Sequence, residues 1–232
     1  MITVRKSQER GHLNHGWLDT CHTFSFASYY NPDHMGFRKL RVINEDRVQP
    51  NKGFDTHHHE NMEIISYVIN GALEHKDSMG NGSVIRKGEI QHTSAGTGIT
   101  HSEYNRSATE IVHFLQIWIL PDENGLTPSY EQKEYSERLI PNQLCLIVSR
   151  NGSNDSVVIH QDAKLYTCLL EKGNQVEYSI PDKRHVWLQI VTGNLSVNGN
   201  DLFSGDGCAI SDERQLTIVS IAESEFLLFD LD

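Results

Sequence analysis

No stretch of this chain keeps a helical period. What recurs instead is a short run of β-branched and aromatic residues, closed off by glycine, asparagine or aspartate. Glu63–Asn70, Ala72–Asp77, Ile111–Leu120, Leu165–Leu170, Val186–Val191 and Phe226–Leu231 are the clearest predicted strands. Asp77-Ser-Met-Gly-Asn-Gly82 and Asn198-Gly-Asn-Asp201 read as hairpin turns, because the positive φ of such turns suits Gly and Asn. Only Tyr130–Arg138 suggests a short helix. The expected class is all-β, an antiparallel barrel or sandwich.

The pattern repeats itself. Ile69-Asn-Gly-Ala-Leu73 resembles Val191-Thr-Gly-Asn-Leu195, and each is followed by a glycine–acid pair, Gly88-Glu89 and Gly205-Asp206. Two β units of about a hundred residues each fill a chain of 232. The polar, turn-rich stretch from Pro121 to Pro128 separates them, which predicts a first domain over 1–125 and a second over 126–232.

Charge narrows the partners. A formal charge of −11 lacks the basic footprint of phosphate contact and disfavours an anionic membrane surface, so neither nucleic acid nor membrane is expected. The first ten residues hold no apolar run of the signal-peptide kind, and Ile111–Leu120 is too short to span a bilayer. Cys21, Cys145, Cys168 and Cys208 are scattered, without the spacing of a zinc knuckle or a disulfide framework. They are expected to be inert, reduced thiols in a cytoplasmic protein.

Histidine is the residue out of proportion. Of 13 histidines, only His160 and His185 follow His113. On an extended strand residues i and i+2 share a face, so His57 pairs with His59 and His101 with Glu103. Two such pairs on neighbouring strands surround one metal with imidazole and carboxylate and leave other positions open. His58 and Glu60 read as solvated, and His75, His92 and His113 as hydrogen-bonded core or rim residues. The alternation of His22, Phe24 and Phe26 suits a strand face over a pocket mouth, or plain packing.

The two histidine blocks resemble the two cupin motifs: His57-His-His-Glu-Asn-Met-Glu63 leading to Gly71, and Gly88 through Ser94, Gly96 and His101 to Asn105. More narrowly, His15-Gly-Trp-Leu18, His22-Thr-Phe-Ser-Phe26, Leu40-Arg-Val-Ile-Asn44, Ser94-Ala-Gly-Thr-Gly98 and Pro121-Asp-Glu-Asn-Gly125 resemble the pirin family over residues 12–132. That resemblance implies a bicupin: two antiparallel jelly-roll barrels in tandem. It implies one divalent transition metal, Fe(II) first, with Zn, Mn, Ni, Cu or Co also accommodated, held by His57, His59, His101 and Glu103. It further implies quercetin 2,3-dioxygenase chemistry, in which a flavonol or related phenolic is cleaved with O2 and CO is released, with Glu103 as the proton acceptor. The alternative within the family is a metal- and redox-sensing module that binds a regulatory protein. Glu63 fills the acid position other cupins use as a ligand and pirins normally do not. His58 stands where proline is common in the family. Gapless alignment on the repeat glycines puts Ser179, Pro181, Ile218 and Ser220 at the four ligand positions of the second unit, which is therefore expected to be structural.

Overall fold

Gly71 and Gly193 both adopt positive φ, +81° and +92°, at the turn where the chain passes from a strand of one sheet to a strand of another. At each, a Cβ would crowd backbone of a neighbouring segment, Ile111 and Val112 in one case, Glu223 and Ser224 in the other. The repeat seen in the sequence is thus a repeated turn. The computed structural model describes residues 1–232, and apart from strands its regular structure is limited to short 3₁₀ turns such as Ser136–Arg138.

Two compact units result. One comprises Gly11–Glu134 with Val157–Gln161; the other comprises Met1–Arg10, Tyr135–Ser156 and Asp162–Asp232. Pairing explains the grouping. Ile2–Arg5 is antiparallel to Gly207–Ile210, with Ile2 opposite Ile210, so the N-terminal strand belongs with the C-terminal half. Ser129–Glu134 pairs along its length with Glu89–Ser94, which carries the first unit past residue 125. The helix expected over Tyr130–Arg138 is therefore a strand followed by a 3₁₀ turn: its polar sequence has no strand alternation, and ladder pairing overrides local propensity.

Within the first unit, one sheet runs in the order Ser129–Glu134, Glu89–Ser94, Glu63–Asn70, Val112–Ile119, Leu40–Val48, Leu18–His22, Gly11–Asn14. The other runs Gly53–His59, Ile99–Tyr104, Ala72–Asp77, Gly82–Arg86. Val48, Val68, Val112 and Phe114 of the first pack with Leu73 and Ile85 of the second, so the two sheets face one another as an open jelly-roll sandwich and not as a barrel of continuous pairing.

The second unit repeats this plan with a different filling. Its small sheet, Gln175–Ser179, Gln215–Ser220, Asn194–Val197 and Asn200–Phe203, packs Val176, Leu195, Leu202 and Ile218 against Leu188, Ile190, Phe226 and Leu228 of its larger sheet. Ile218 is fully buried among these groups. Cys168 and Cys208 lie in the same interior, where burial pushes each thiol up to about 12, so neither is a ready thiolate.

Candidate metal centre

The strand Ile99–Tyr104 lies between Gly53–His59 and Ala72–Asp77, with His101 opposite His57 on one side and Asp77 on the other. The ladder to Gly53–His59 slips between His101 and Glu103, because Glu103 pairs with Phe54 and Asp55 and Thr56 together oppose Ser102. This bulge gives His57 a local partner: its Nδ1 lies 2.7 Å from the Asp55 carbonyl oxygen, to which a neutral imidazole donates. The opposite nitrogen, Nε2, is then the bare one. It lies 3.0 Å from Nε2 of His101.

His57, His59 and His101 bring one ring nitrogen each within 4.8 Å of one another. Their rings meet edge-on or tilted, with centroids 4.5 to 4.8 Å apart. The donor set fits a divalent transition metal. Two nitrogens on adjacent corners of an octahedron with bonds of about 2.1 Å sit about 3.0 Å apart, which is the separation between His57 and His101. Burial holds His101 down to about 3, helped by the charges of His57 and His75. Burial likewise lowers His59 to about 4, with His101 and His57 adding to it. Both are neutral at physiological pH, the form that binds metal.

Glu103 is buried beside this cluster. Gln116 Nε2 donates to its Oε2 at 2.9 Å, and the Ser66 hydroxyl lies 3.3 Å from its Oε1 and 2.9 Å from the Gln116 amide oxygen. The Glu103 carboxylate forms a second compact group, again within 4.8 Å, with His101 and His75. His75 Nδ1 faces His101 Nδ1 at 3.4 Å, and His75 Nε2 faces Asp77 Oδ2 at 3.2 Å. If Asp77 accepts from His75 Nε2, His75 Nδ1 accepts from His101 Nδ1 and the Nε2 of His101 is left bare, as His57 is by Asp55. Tyr130 stacks on the His75 ring at 5.1 Å. His75 is a core residue, as its place in a strand suggests, and it also contacts His101. The available signal was the His75-x-Asp77 spacing, which puts both residues on one strand face.

The other acids and histidines of the two blocks are committed elsewhere. Both oxygens of Glu63 are taken, Oε1 by the Ser94 hydroxyl at 2.6 Å and Oε2 by His92 Nε2 at 2.8 Å and the His160 amide at 3.0 Å. Burial alone would push this carboxyl up, but His92, Ser94 and the His160 amide hold it down at about 2. Glu63→Gln is expected to cost roughly 2–4 kcal/mol at neutral pH. Because the folded-state pKa is depressed, that stabilisation is present above about pH 4.5 and fades as pH falls toward 2. Thermal melts of the two proteins from pH 7 to pH 2.5 check this, and metal content should be equal in both. His58 points the other way, half-exposed with Nε2 3.9 Å from Glu60, and its ring covers Gly98, where a Cβ would come within 2.9 Å of Cε1. His113 bonds Glu45 at 2.9 Å, on the rim as its sequence position suggests.

A jelly-roll whose small sheet gathers imidazoles, joined in one chain to a second jelly-roll with an apolar interior, defines the bicupin class of metal proteins. The family model Pirin matches residues 3–119, and the model of the quercetinase C-terminal cupin domain matches residues 146–231. The chain is 51% identical over 231 residues to quercetin 2,3-dioxygenase of Escherichia coli, covering 100% of this chain and 99% of that one. It also matches the crystal structure of the bacterial pirin YhhW from Escherichia coli in complex with nickel(II), at 50% identity and a TM-score of 0.95, over 100% of this chain and 99% of that one. A quercetin 2,3-dioxygenase from Acinetobacter baumannii, 18% identical with a TM-score of 0.82 over 99% of this chain and 85% of that one, shares the fold. The chain belongs to the pirin family. No helix in it is long and apolar enough to cross a membrane.

Proposed function

We propose that this protein is a metal-dependent dioxygenase that opens the heterocyclic ring of quercetin or a related flavonol with O2 and releases CO. The observation that carries the reading is the convergence of His57, His59 and His101 on one point, with the Glu103 carboxylate held in place beside it. We assign His57, His59, His101 and Glu103 as ligands of one divalent ion per chain. Fe(II) is the first choice, and the same donors also suit Ni, Mn, Zn, Cu and Co. The nickel complex of the similar Escherichia coli pirin supports a divalent ion at such a centre.

An ion held by these four residues would supply the positive charge that favours ionisation of a flavonol 3-hydroxyl. The chain's own groups do the rest. Glu103 accepts the hydroxyl proton at a carboxylate oxygen, and Gln116 and Ser66 fix its orientation. His75 and Asp77 hold the tautomer of His101. The Trp118 ring, 5.0 Å from His59 and 5.2 Å from Phe26, shields this side of the centre from water. Four free cysteines support a reducing compartment, the cytoplasm.

The direct test loads the protein anaerobically with Fe(II), admits air, and follows quercetin loss and CO formation together. Stoichiometric CO is expected. Metal-loaded protein that consumes no flavonol would overturn the assignment.

A further inference from the structure

The hairpin at the edge of the larger sheet of the first unit gathers a second set of metal-binding side chains. Gly11–Asn14 pairs with Leu18–His22 so that His12 stands opposite Cys21 and Asn14 opposite Asp19. These four side chains share one face, since alternate residues of a strand point the same way. Leu18, Thr20 and His22 alternate with them and take the other face, where Leu18 joins the apolar core. The histidine centre is built on the other sheet, and the two groups share no residue.

Three of the four offer ligand atoms. An imidazole nitrogen of His12, a carboxylate oxygen of Asp19 and the sulfur of Cys21 lie within 4.8 Å of one another. His12 Nε2 is 2.9 Å from Asp19 Oδ1. Asn14 braces the set: its Oδ1 accepts from the Gly16 amide at 2.8 Å in the hairpin turn, and its Nδ2 donates to Asp19 Oδ2 at 3.3 Å. Asp19 therefore turns its other oxygen to His12, as a partner outside the ligand set orients a ligand. In the next ladder Arg47 stands opposite Asp19, but its guanidinium goes to Glu45 at 2.8 Å. Cys21 is in no disulfide and is half-buried, whereas Cys145, Cys168 and Cys208 are buried.

We propose that His12, Asp19 and Cys21 form a second metal site, for a divalent ion that accepts a thiolate, Zn(II) first, with water in the fourth position. One nitrogen, one sulfur and one carboxylate oxygen suit the borderline-soft character of zinc, and three protein ligands with a water complete its tetrahedron. With bonds of about 2.1 Å, tetrahedral neighbours lie about 3.4 Å apart. The ion therefore parts His12 from Asp19 by about half an ångström. Side chains 59% and 38% exposed accommodate that shift without disturbing the core. On binding, the Cys21 thiol gives its proton to solvent and its sulfur takes the ion, with no change of oxidation state. Three ligands at an open surface hold an ion less tightly than the buried centre does. The hairpin site fills on titration, and a chain desalted without added metal carries the ion of the histidine centre alone. The dioxygenase reading is not needed for this site.

Cobalt(II) is the probe that tests the proposal. A thiolate ligand gives it a charge-transfer absorption in the near ultraviolet, and the four residues assigned to the histidine centre contain no sulfur. The full chain, carrying its histidine-centre ion, is titrated with Co(II). The natural chain is expected to develop the band to saturation at one sulfur-bound ion per chain, and a slight excess of Zn(II) should remove it. Cys21→Ser should lose the band, and His12→Ala and Asp19→Asn should each need at least about tenfold more Co(II) to reach it. His12 is exposed on the edge strand, so its truncation leaves the core intact. Absence of the band in the natural chain would overturn the proposal. A band that persists in Cys21→Ser would do the same by placing the sulfur elsewhere. So would a band undiminished in both His12→Ala and Asp19→Asn, which reduces the site to a single cysteine.

Discussion

Glu103→Gln is expected to fold and to lose between about 10² and 10⁴ of flavonol turnover. The two side chains match in shape, and the new amide still has an oxygen to accept from Gln116 Nε2. No buried partner is orphaned, because the Ser66 hydroxyl is also 2.9 Å from the Gln116 oxygen. What disappears is the basic site and one negative charge in a buried position. The melting temperature should therefore move by only a few degrees while the rate collapses. Turnover is read by CO release under air, and folding by a thermal melt of the same preparation. Turnover at the level of the natural chain would remove Glu103 from the mechanism. Metal content of the variant separates its two assigned roles: a fall in both affinity and rate marks a ligand, and a fall in rate alone marks a base.

The first contrast between sequence and structure lies in how far each feature reaches along the chain. His57 with His59, and His101 with Glu103, were legible because a spacing of two on a strand fixes a shared face with no knowledge of the rest of the fold. The repeat glycines were legible for a similar reason, since Gly71 and Gly193 answer a local demand for positive φ. His75 could not be read in the same way. Its role depends on the strand Ala72–Asp77 lying beside Ile99–Tyr104, a pairing between segments more than twenty residues apart that no local pattern encodes.

The compact units differ from the compositional division for the same physical reason. Composition marks Pro121 to Pro128 as a linker, yet Ser129–Glu134 is captured by the edge strand Glu89–Ser94. Val157–Gln161 joins the first unit through bonds such as the His160 amide to Glu63, and Gln161 Nε2 to the Leu120 carbonyl at 2.8 Å. Residues that leave their own half to complete another carry no compositional mark. By contrast, the expectation of a second unit with no ligands drew on local content. The positions read as Ile218 and Ser220 lie in a strand whose inward side chains complete an apolar core.

His57→Ala combined with His59→Ala is expected to leave the protein folded and free of metal. Both residues are half-buried on a strand of the small sheet, outside the core of Leu73, Ile85 and Phe114, so truncation empties little packed volume. The same step removes two of the three imidazole nitrogens that lie within 4.8 Å of one another. Loss of a single outer-shell partner commonly costs about 10–100-fold in metal affinity, and loss of two direct ligands costs more. The remaining groups of His, Cys, Asp and Glu close enough to share an ion are His75–His101–Glu103, which borders the same centre, and His12–Asp19–Cys21 on the first unit's hairpin. Mass spectrometry of metal per chain should read one ion in the natural protein and none in the double variant, with His58→Ala still at one because that ring faces Glu60 and Gly98. Undiminished metal in the double variant would sink the ligand assignment. A second ion in the natural chain that survives the double substitution would point to the hairpin group, which His12→Ala would then abolish.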